Sequence, residues 1–205
     1  MKIQLALDRL TREQCFSILE ETYDYIDWIE IGTGVIKEFG MAIVREIRET
    51  YHHKMIVADM KTCDAGRHEA KQAFEAGADI ITVMAFSHNN TIAETLETAQ
   101  LFEKRVMIDL LSVQTRERVE ELHELGVNLF CLHIGKDMQQ EGVLADRSLY
   151  QLIEGLENVE VAIAGGISEK TIGGLQALDI AIVGSAITGS SNPRETSKAI
   201  KRQAG

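Results

Sequence analysis

The stretch MIVADMKTCDAG, running from Met55 to Gly66, decides how this chain is read. It opens as a short apolar run rich in β-branched residues and then turns ionisable at Asp59 and Lys61. Residues two apart in a strand share a face, so this carboxylate and this ammonium point the same way and stabilise each other's charged forms. Asp64 follows in the loop. A carboxylate, a fixed cation and a second carboxylate within six residues suit a reaction in which negative charge develops on an oxygen. A salt-bridged cluster serving stability alone is the weaker reading, because ionisable groups are seldom placed in an apolar interior without a function.

The pattern repeats on both sides. Upstream lie KIQLALD (Lys2 to Asp8) and DWIEIGT (Asp27 to Thr33). Downstream come DIITVMAF (Asp79 to Phe86), RVMIDLL from Arg105, NLFCLHIG from Asn128, EVAIAGG from Glu160 and DIAIVGSAI from Asp179. Eight strand-like runs separated by helix-length intervals predict parallel strands joined by helices. In 205 residues this fits an α/β fold of one (β/α)8 TIM barrel, a single domain spanning 1–205, better than an open sheet. No GxGxxG follows the first strand, which argues against dinucleotide binding.

Between the strands the spacing turns helical. Within Thr11 to Tyr25, the residues Cys15, Ile18, Leu19 and Thr22 share one face, and Thr11 is placed to cap the N-terminus. Similar patterns cover Met41 to Thr50, His68 to Gly77, Thr91 to Glu103, Arg116 to Gly126 and Ser168 to Leu178. Gly77 and Gly126 sit where a left-handed C-cap is easily adopted, and Pro193, after Asn192, is placed to open the last helix.

Composition narrows the function classes. Hydrophobic residues at 45% and charged residues at 26% describe an ordinary globular chain rather than a disordered or fibrous one. A net charge of -11 opposes non-specific binding to nucleic acid or to an anionic membrane surface. No run approaches the roughly 20 apolar residues of a membrane span. Cys15, Cys63 and Cys131 are odd in number and scattered, which fits reduced thiols and a cytoplasmic protein.

In such barrels the active site lies at the C-terminal ends of the strands, so polar residues ending apolar strands carry the most information. Asp8 closes the first run, Glu30 and Thr33 lie near the end of the second, Asp109 lies in the fifth and His133 in the sixth. Glu30 and Asp59, from neighbouring strands, offer two hard carboxylates that suit Mg2+ better than zinc. The alternative is that Glu30 merely pairs with Lys61. Gly165, Gly166, Gly184 and Ser185 fall in the loops after the last two strands, where such barrels bind phosphate through backbone N–H groups. Read plainly, those glycines only make tight turns. His133 is the natural proton carrier because an imidazole exchanges protons near neutral pH. His52, His53, His68 and His123 read as solvated, and His88 stays open.

Together LALD (Leu5 to Asp8), EIGT (Glu30 to Thr33), ADMKTCDAG (Ala58 to Gly66), HIGKD (His133 to Asp137) and AGGI (Ala164 to Ile167) carry a family resemblance. Nearly end to end, the chain resembles the hexulose-6-phosphate synthase and 3-keto-L-gulonate-6-phosphate decarboxylase group of the orotidine-monophosphate decarboxylase superfamily. The resemblance implies a Mg2+-dependent enzyme that stabilises an enediolate of a phosphorylated sugar, and a homodimer with the active site near the subunit interface. It implies that Glu30 and Asp59 hold Mg2+, that Lys61 meets the enediolate oxygen and that Asp64 reaches into the partner's site. Asp8 would orient substrate hydroxyls, the His133 region would move the C1 proton, and Gly165, Gly166 and Gly184 would take phosphate.

Orotidine-monophosphate decarboxylase itself is disfavoured, since its charged array begins with a lysine where Glu30 stands. A pentulose-phosphate epimerase needs several histidines at its metal, whereas here His133 alone is well placed. A non-catalytic phosphosugar-binding barrel is the outside alternative. Within the group, Gly135, Asp137 and Ser185 favour the synthase branch, whose substrates are a phosphorylated ketose, D-ribulose 5-phosphate, and formaldehyde. Lys136 stands where that branch has tyrosine and where the decarboxylase branch has a cation.

Overall fold

A computed structural model describes residues 1–135, 137, 147–175 and 177–205. The strands are β1 (Lys2–Leu7), β2 (Trp28–Ile31), β3 (Met55–Thr62), β4 (Ile80–Met84), β5 (Arg105–Asp109), β6 (Leu129–His133), β7 (Glu160–Ala164) and β8 (Ile180–Val183). They close in sequence order into one parallel barrel. β8 returns to β1 with Lys2 opposite Ile180 and Leu5 opposite Val183. The helices are α1 (Arg12–Thr22), α2 (Thr33–Phe39), α3 (Met41–Thr50), α4 (Gly66–Glu75), α5 (Asn89–Leu101), α6 (Arg116–Glu124), α7 (Arg147–Gln151), α8 (Ser185–Thr188) and α9 (Pro193–Gln203). The architecture is a (β/α)8 TIM barrel.

Side-chain alternation explains why the strands read as nearly continuous apolar runs: both of their faces are buried. In β2, Trp28 joins an inner cluster with Val57, Ile80, Met107, Leu129 and Cys131, while Ile29 and Ile31 join the larger cluster beneath the helices. At the N-terminal end of the barrel, Lys2 Nζ and Arg105 Nη1 approach Glu160 at 2.5 and 2.8 Å. That end is closed by packing and charge pairing, which leaves chemistry to the opposite mouth.

The helix signals act as their chemistry requires. Thr11 Oγ1 accepts from the Gln14 N–H at 3.2 Å, and the Thr11 N–H donates to Gln14 Oε1 at 2.9 Å, a reciprocal capping box. Cys15, Ile18, Leu19 and Thr22 form the buried face of α1. Asn192 Oδ1 accepts from the Glu195 N–H at 3.1 Å ahead of α9, with Pro193 in its first turn. Gly77 and Gly126 take φ of 103° and 96° just after α4 and α6.

Two expectations need correction. Among the described residues of Ser168 to Leu178 there is no α-helix, and the regular part is one 3-10 turn, Ile172–Gly174. The adjacent Gly173 and Gly174 lose more backbone entropy in a helix than other residues would, and the apolar spacing there is too short to offset it. Conversely, Thr33–Phe39 forms a helix in a segment that carried no helical expectation. No helix among the described residues is long and apolar enough to cross a membrane.

Candidate active site

A cavity of about 580 Å³ opens at the mouth of the barrel, lined by Asp8, Glu30, Asp59, Lys61, Asp109 and His133 among others. Gly165, Gly166, Gly184 and Ser185 line it from the β7 and β8 side, and Asp137 joins them. Lys136 lies outside the described residues. Asp64 is exposed and stands apart from this lining.

The end of β3 is not a regular strand. Ala58 pairs with Ile81, but the next pairing joins Thr62 to Val83, so β3 carries extra residues there. Lys61 absorbs the excess with φ of 47°, a left-handed conformation that costs a non-glycine residue on the order of 1–3 kcal/mol. Its N–H leaves the ladder and donates to Thr82 Oγ1 at 2.9 Å, and that hydroxyl donates to Asp59 Oδ1 at 2.8 Å. Thr33 completes the hold on Asp59, with Oγ1 donating to Oδ2 at 2.6 Å. The expected pairing of Asp59 with Lys61 is present at 3.4 Å, produced by a bulge rather than by simple alternation.

Lys61 has a closer partner. Its Nζ lies 2.6 Å from Asp109 Oδ2, and His133 Nδ1 lies 2.9 Å from the same oxygen. Asp109 is buried, so burial drives its carboxyl upward. The His133 hydrogen bond and the charges facing it outweigh that and hold it at about 2. Burial pushes the Lys61 ammonium down, but the carboxylates of Asp59 and Asp109 reverse this and keep it protonated. A carboxylate only accepts, so His133 Nδ1 carries the hydrogen and a neutral ring leaves Nε2 as its base. This relay from Lys61 through Asp109 to His133 makes Asp109 the hub of the site. The sequence alone places Asp109 at the mouth without giving it a role; its signal is a lone aspartate ending an apolar strand.

Glu30 does not simply pair with Lys61. Gln4, fully buried on β1, donates from Nε2 to Glu30 Oε2 at 2.5 Å, a contact that sequence reading missed. Burial, then the nearby negative charge of Asp59, hold the Glu30 carboxyl well above the ordinary carboxylate range. A divalent cation bound beside Asp59 would relieve the cost of ionising the buried Glu30 carboxyl. Among the described residues no group of three or more His, Cys, Asp and Glu is placed to hold a metal. Glu30 and Asp59 line one cavity as two hard oxygen donors, a set that could hold a cation such as Mg2+ only with water and substrate completing its coordination.

Asp8 is set by Gly34, the residue that follows EIGT. Its Oδ1 accepts from the Gly34 N–H at 2.9 Å, and a Cβ on Gly34 would lie only 2.5 Å from that oxygen. Cys131 lines the cavity floor, but burial and the surrounding carboxylates push its thiol far up, so it is inert there. His88 is a structural residue: its Nδ1 accepts from the Asn90 N–H at 3.2 Å and caps α5.

A closed barrel with this charged mouth defines a (β/α)8-barrel enzyme. Residues 1–200 match the family described as Orotidine 5'-phosphate decarboxylase / HUMPS family. The chain is 37% identical over 205 residues to 3-hexulose-6-phosphate synthase of Bacillus subtilis (strain 168), covering 98% of each. It superposes on the crystal structure of 3-hexulose-6-phosphate synthase from Salmonella typhimurium with TM-score 0.97 at 33% identity, covering 100% of this chain and 98% of that one. 3-keto-L-gulonate-6-phosphate decarboxylase from Vibrio cholerae O1 gives TM-score 0.89 at 28% identity, covering 99% and 96%. The chain belongs to the orotidine 5'-phosphate decarboxylase / HUMPS family, in the group that holds the hexulose-6-phosphate synthases and the 3-keto-L-gulonate-6-phosphate decarboxylases.

Proposed function

We propose that the chain is a carbon-carbon lyase that adds formaldehyde to D-ribulose 5-phosphate, giving D-arabino-3-hexulose 6-phosphate. The observation that carries this is the relay of Lys61, Asp109 and His133 facing the Glu30 and Asp59 pair across one cavity. The synthase-named relatives support it along nearly their whole length.

Glu30 and Asp59 would hold Mg2+, which when bound would polarise the substrate carbonyl and its neighbouring hydroxyl. His133 Nε2 removes a C1 proton, because its Nδ1–H is committed to Asp109. Lys61 Nζ donates to the oxygen on which charge builds. Enediolate C1 then attacks the formaldehyde carbon; a carbon-carbon bond forms, and the former aldehyde oxygen takes the proton back from His133. Asp8 orients the substrate hydroxyls. The loops of Gly165, Gly166, Gly184 and Ser185 take the phosphate, since φ of 108° and 69° at Gly165 and Gly166 leaves backbone free to approach it. Asp64 we assign to the neighbouring site of a homodimer, which accounts for its exposure in the isolated chain.

Replacing Lys61 by Ala tests the chemistry. The expected result is loss of C1 proton exchange in ribulose 5-phosphate with the circular-dichroism spectrum retained. Exchange at the wild-type rate would remove Lys61 from the mechanism.

A further inference from the structure

The mouth is acidic for a site that must receive a phosphorylated sugar. Among the described lining residues, Asp8, Glu30, Asp59, Asp109 and Asp137 face only Arg9, Lys37 and Lys61 as formal cations. Lys61 is already taken by Asp59 and Asp109. The remaining two, Arg9 and Lys37, belong to no step of the mechanism above, yet both line the cavity.

Their placement is built rather than incidental. Arg9 follows Asp8 with φ of 54°, a left-handed conformation that turns the chain sharply after β1. Its side chain runs past Gly34: a Cβ there would come within 3.3 Å of Arg9 Cγ. Arg9 meets Asp8 Oδ2 at 3.2 Å through Nε, so the two terminal nitrogens of the guanidinium extend beyond that contact. Lys37 lies one helical turn beyond Thr33 and Gly34 on α2, on the same face as the residues that hold Asp59 and Asp8. Barrel closure then brings this corner to the phosphate side. β1 is hydrogen-bonded to β8, and the position of a Cβ on Gly184 lies 3.7 Å from the Ala6 carbonyl oxygen.

We propose that Arg9 and Lys37 form a cationic rim on the β1 and β2 side of the mouth that binds the substrate's phosphate alongside the glycine loops. It rests on the proposed phosphosugar reading and names the side chains that would discriminate phosphorylated from neutral ketoses. The backbone N–H groups of the glycine loops supply shape, and the rim supplies charge in an otherwise acidic mouth.

The test compares wild type with Arg9→Gln, Lys37→Gln and the double variant, using Arg9→Lys as the conservative control. KM for ribulose 5-phosphate should rise about fivefold for each single variant, a size typical of an exposed ion pair, with kcat within about twofold. Arg9→Lys should recover most of the loss. Inorganic phosphate should bind the double variant at least about tenfold more weakly, and turnover of unphosphorylated D-ribulose should not change. Unchanged KM and phosphate affinity would overturn the rim, as would a fall in kcat at constant KM, which would mean that Arg9 acts through Asp8. Failure of the wild type to join ribulose 5-phosphate to formaldehyde would instead reject the reaction, while the phosphate measurement would still decide the rim.

Discussion

Asp109 is held by Lys61 on one side and by His133 on the other. Converting it to Asn removes a charge from the relay and lets the His133 ring lose its fixed tautomer. Asp109→Asn is expected to lower kcat by about a hundredfold or more, with a smaller effect on KM. An unchanged kcat would show that His133 needs no such partner. Glu30→Gln keeps the shape of the side chain and removes its charge, so Mg2+ affinity measured by calorimetry should fall at least about tenfold. An equal titration in variant and wild type would exclude Glu30 as a ligand. The ionisable residues were legible in the sequence because each ends an apolar strand, where a charge is otherwise out of place. Gln4 was not: an uncharged amide within LALD's strand looks the same whether it holds a carboxylate or faces solvent.

At the scale of elements, the bulge in β3 decides the site's geometry. Thr82 is its fulcrum, accepting from the Lys61 N–H and donating to Asp59. Thr82→Val keeps the volume but leaves the part-buried Lys61 N–H and the buried Asp59 Oδ1 without this partner, so about 2 kcal/mol of stability should be lost along with activity. Urea unfolding checks the first and the aldol assay the second; a variant as stable and active as wild type would show that the bulge holds itself. The strands and most helices could be read from periodicity and caps, because those signals are local. The bulge could not, since nothing in the sequence marks a lysine for a left-handed conformation; the pairing of β3 with β4 imposes it. Ser168 to Leu178 misled in the opposite way, its apolar spacing suggesting a helix that the paired glycines do not sustain.

At the scale of the whole molecule, ion pairs between elements tie the barrel together. Asp79 joins Arg48 of α3, Lys104 and the Ile56 N–H of β3. Burial pushes the Asp79 carboxyl upward, but the Lys104 hydrogen bond, the Ile56 N–H and Arg48 outweigh it, leaving the carboxyl below its ordinary value. A carboxyl depressed by folding stabilises the native state at pH above its unfolded value, about 3.9, and that contribution fades as pH falls through the native value. Asp79→Asn should therefore cost about 2 kcal/mol at pH 7, and its deficit against wild type should shrink below about pH 4. A deficit that stays constant with pH would show that the charge is not what matters. The barrel itself was legible from eight regularly spaced runs, whereas the proposed homodimer, in which Asp64 would meet a second chain, leaves no local signal in one chain.

Purified protein with Mg2+ is given ribulose 5-phosphate and formaldehyde, and in parallel 3-keto-L-gulonate 6-phosphate, while formaldehyde loss and carbon dioxide release are followed. Formaldehyde consumption with a kcat/KM well above that of decarboxylation is the expected result. Dominant carbon dioxide release would contradict it, moving the chain to the decarboxylase branch and giving Lys136 the cation's role there.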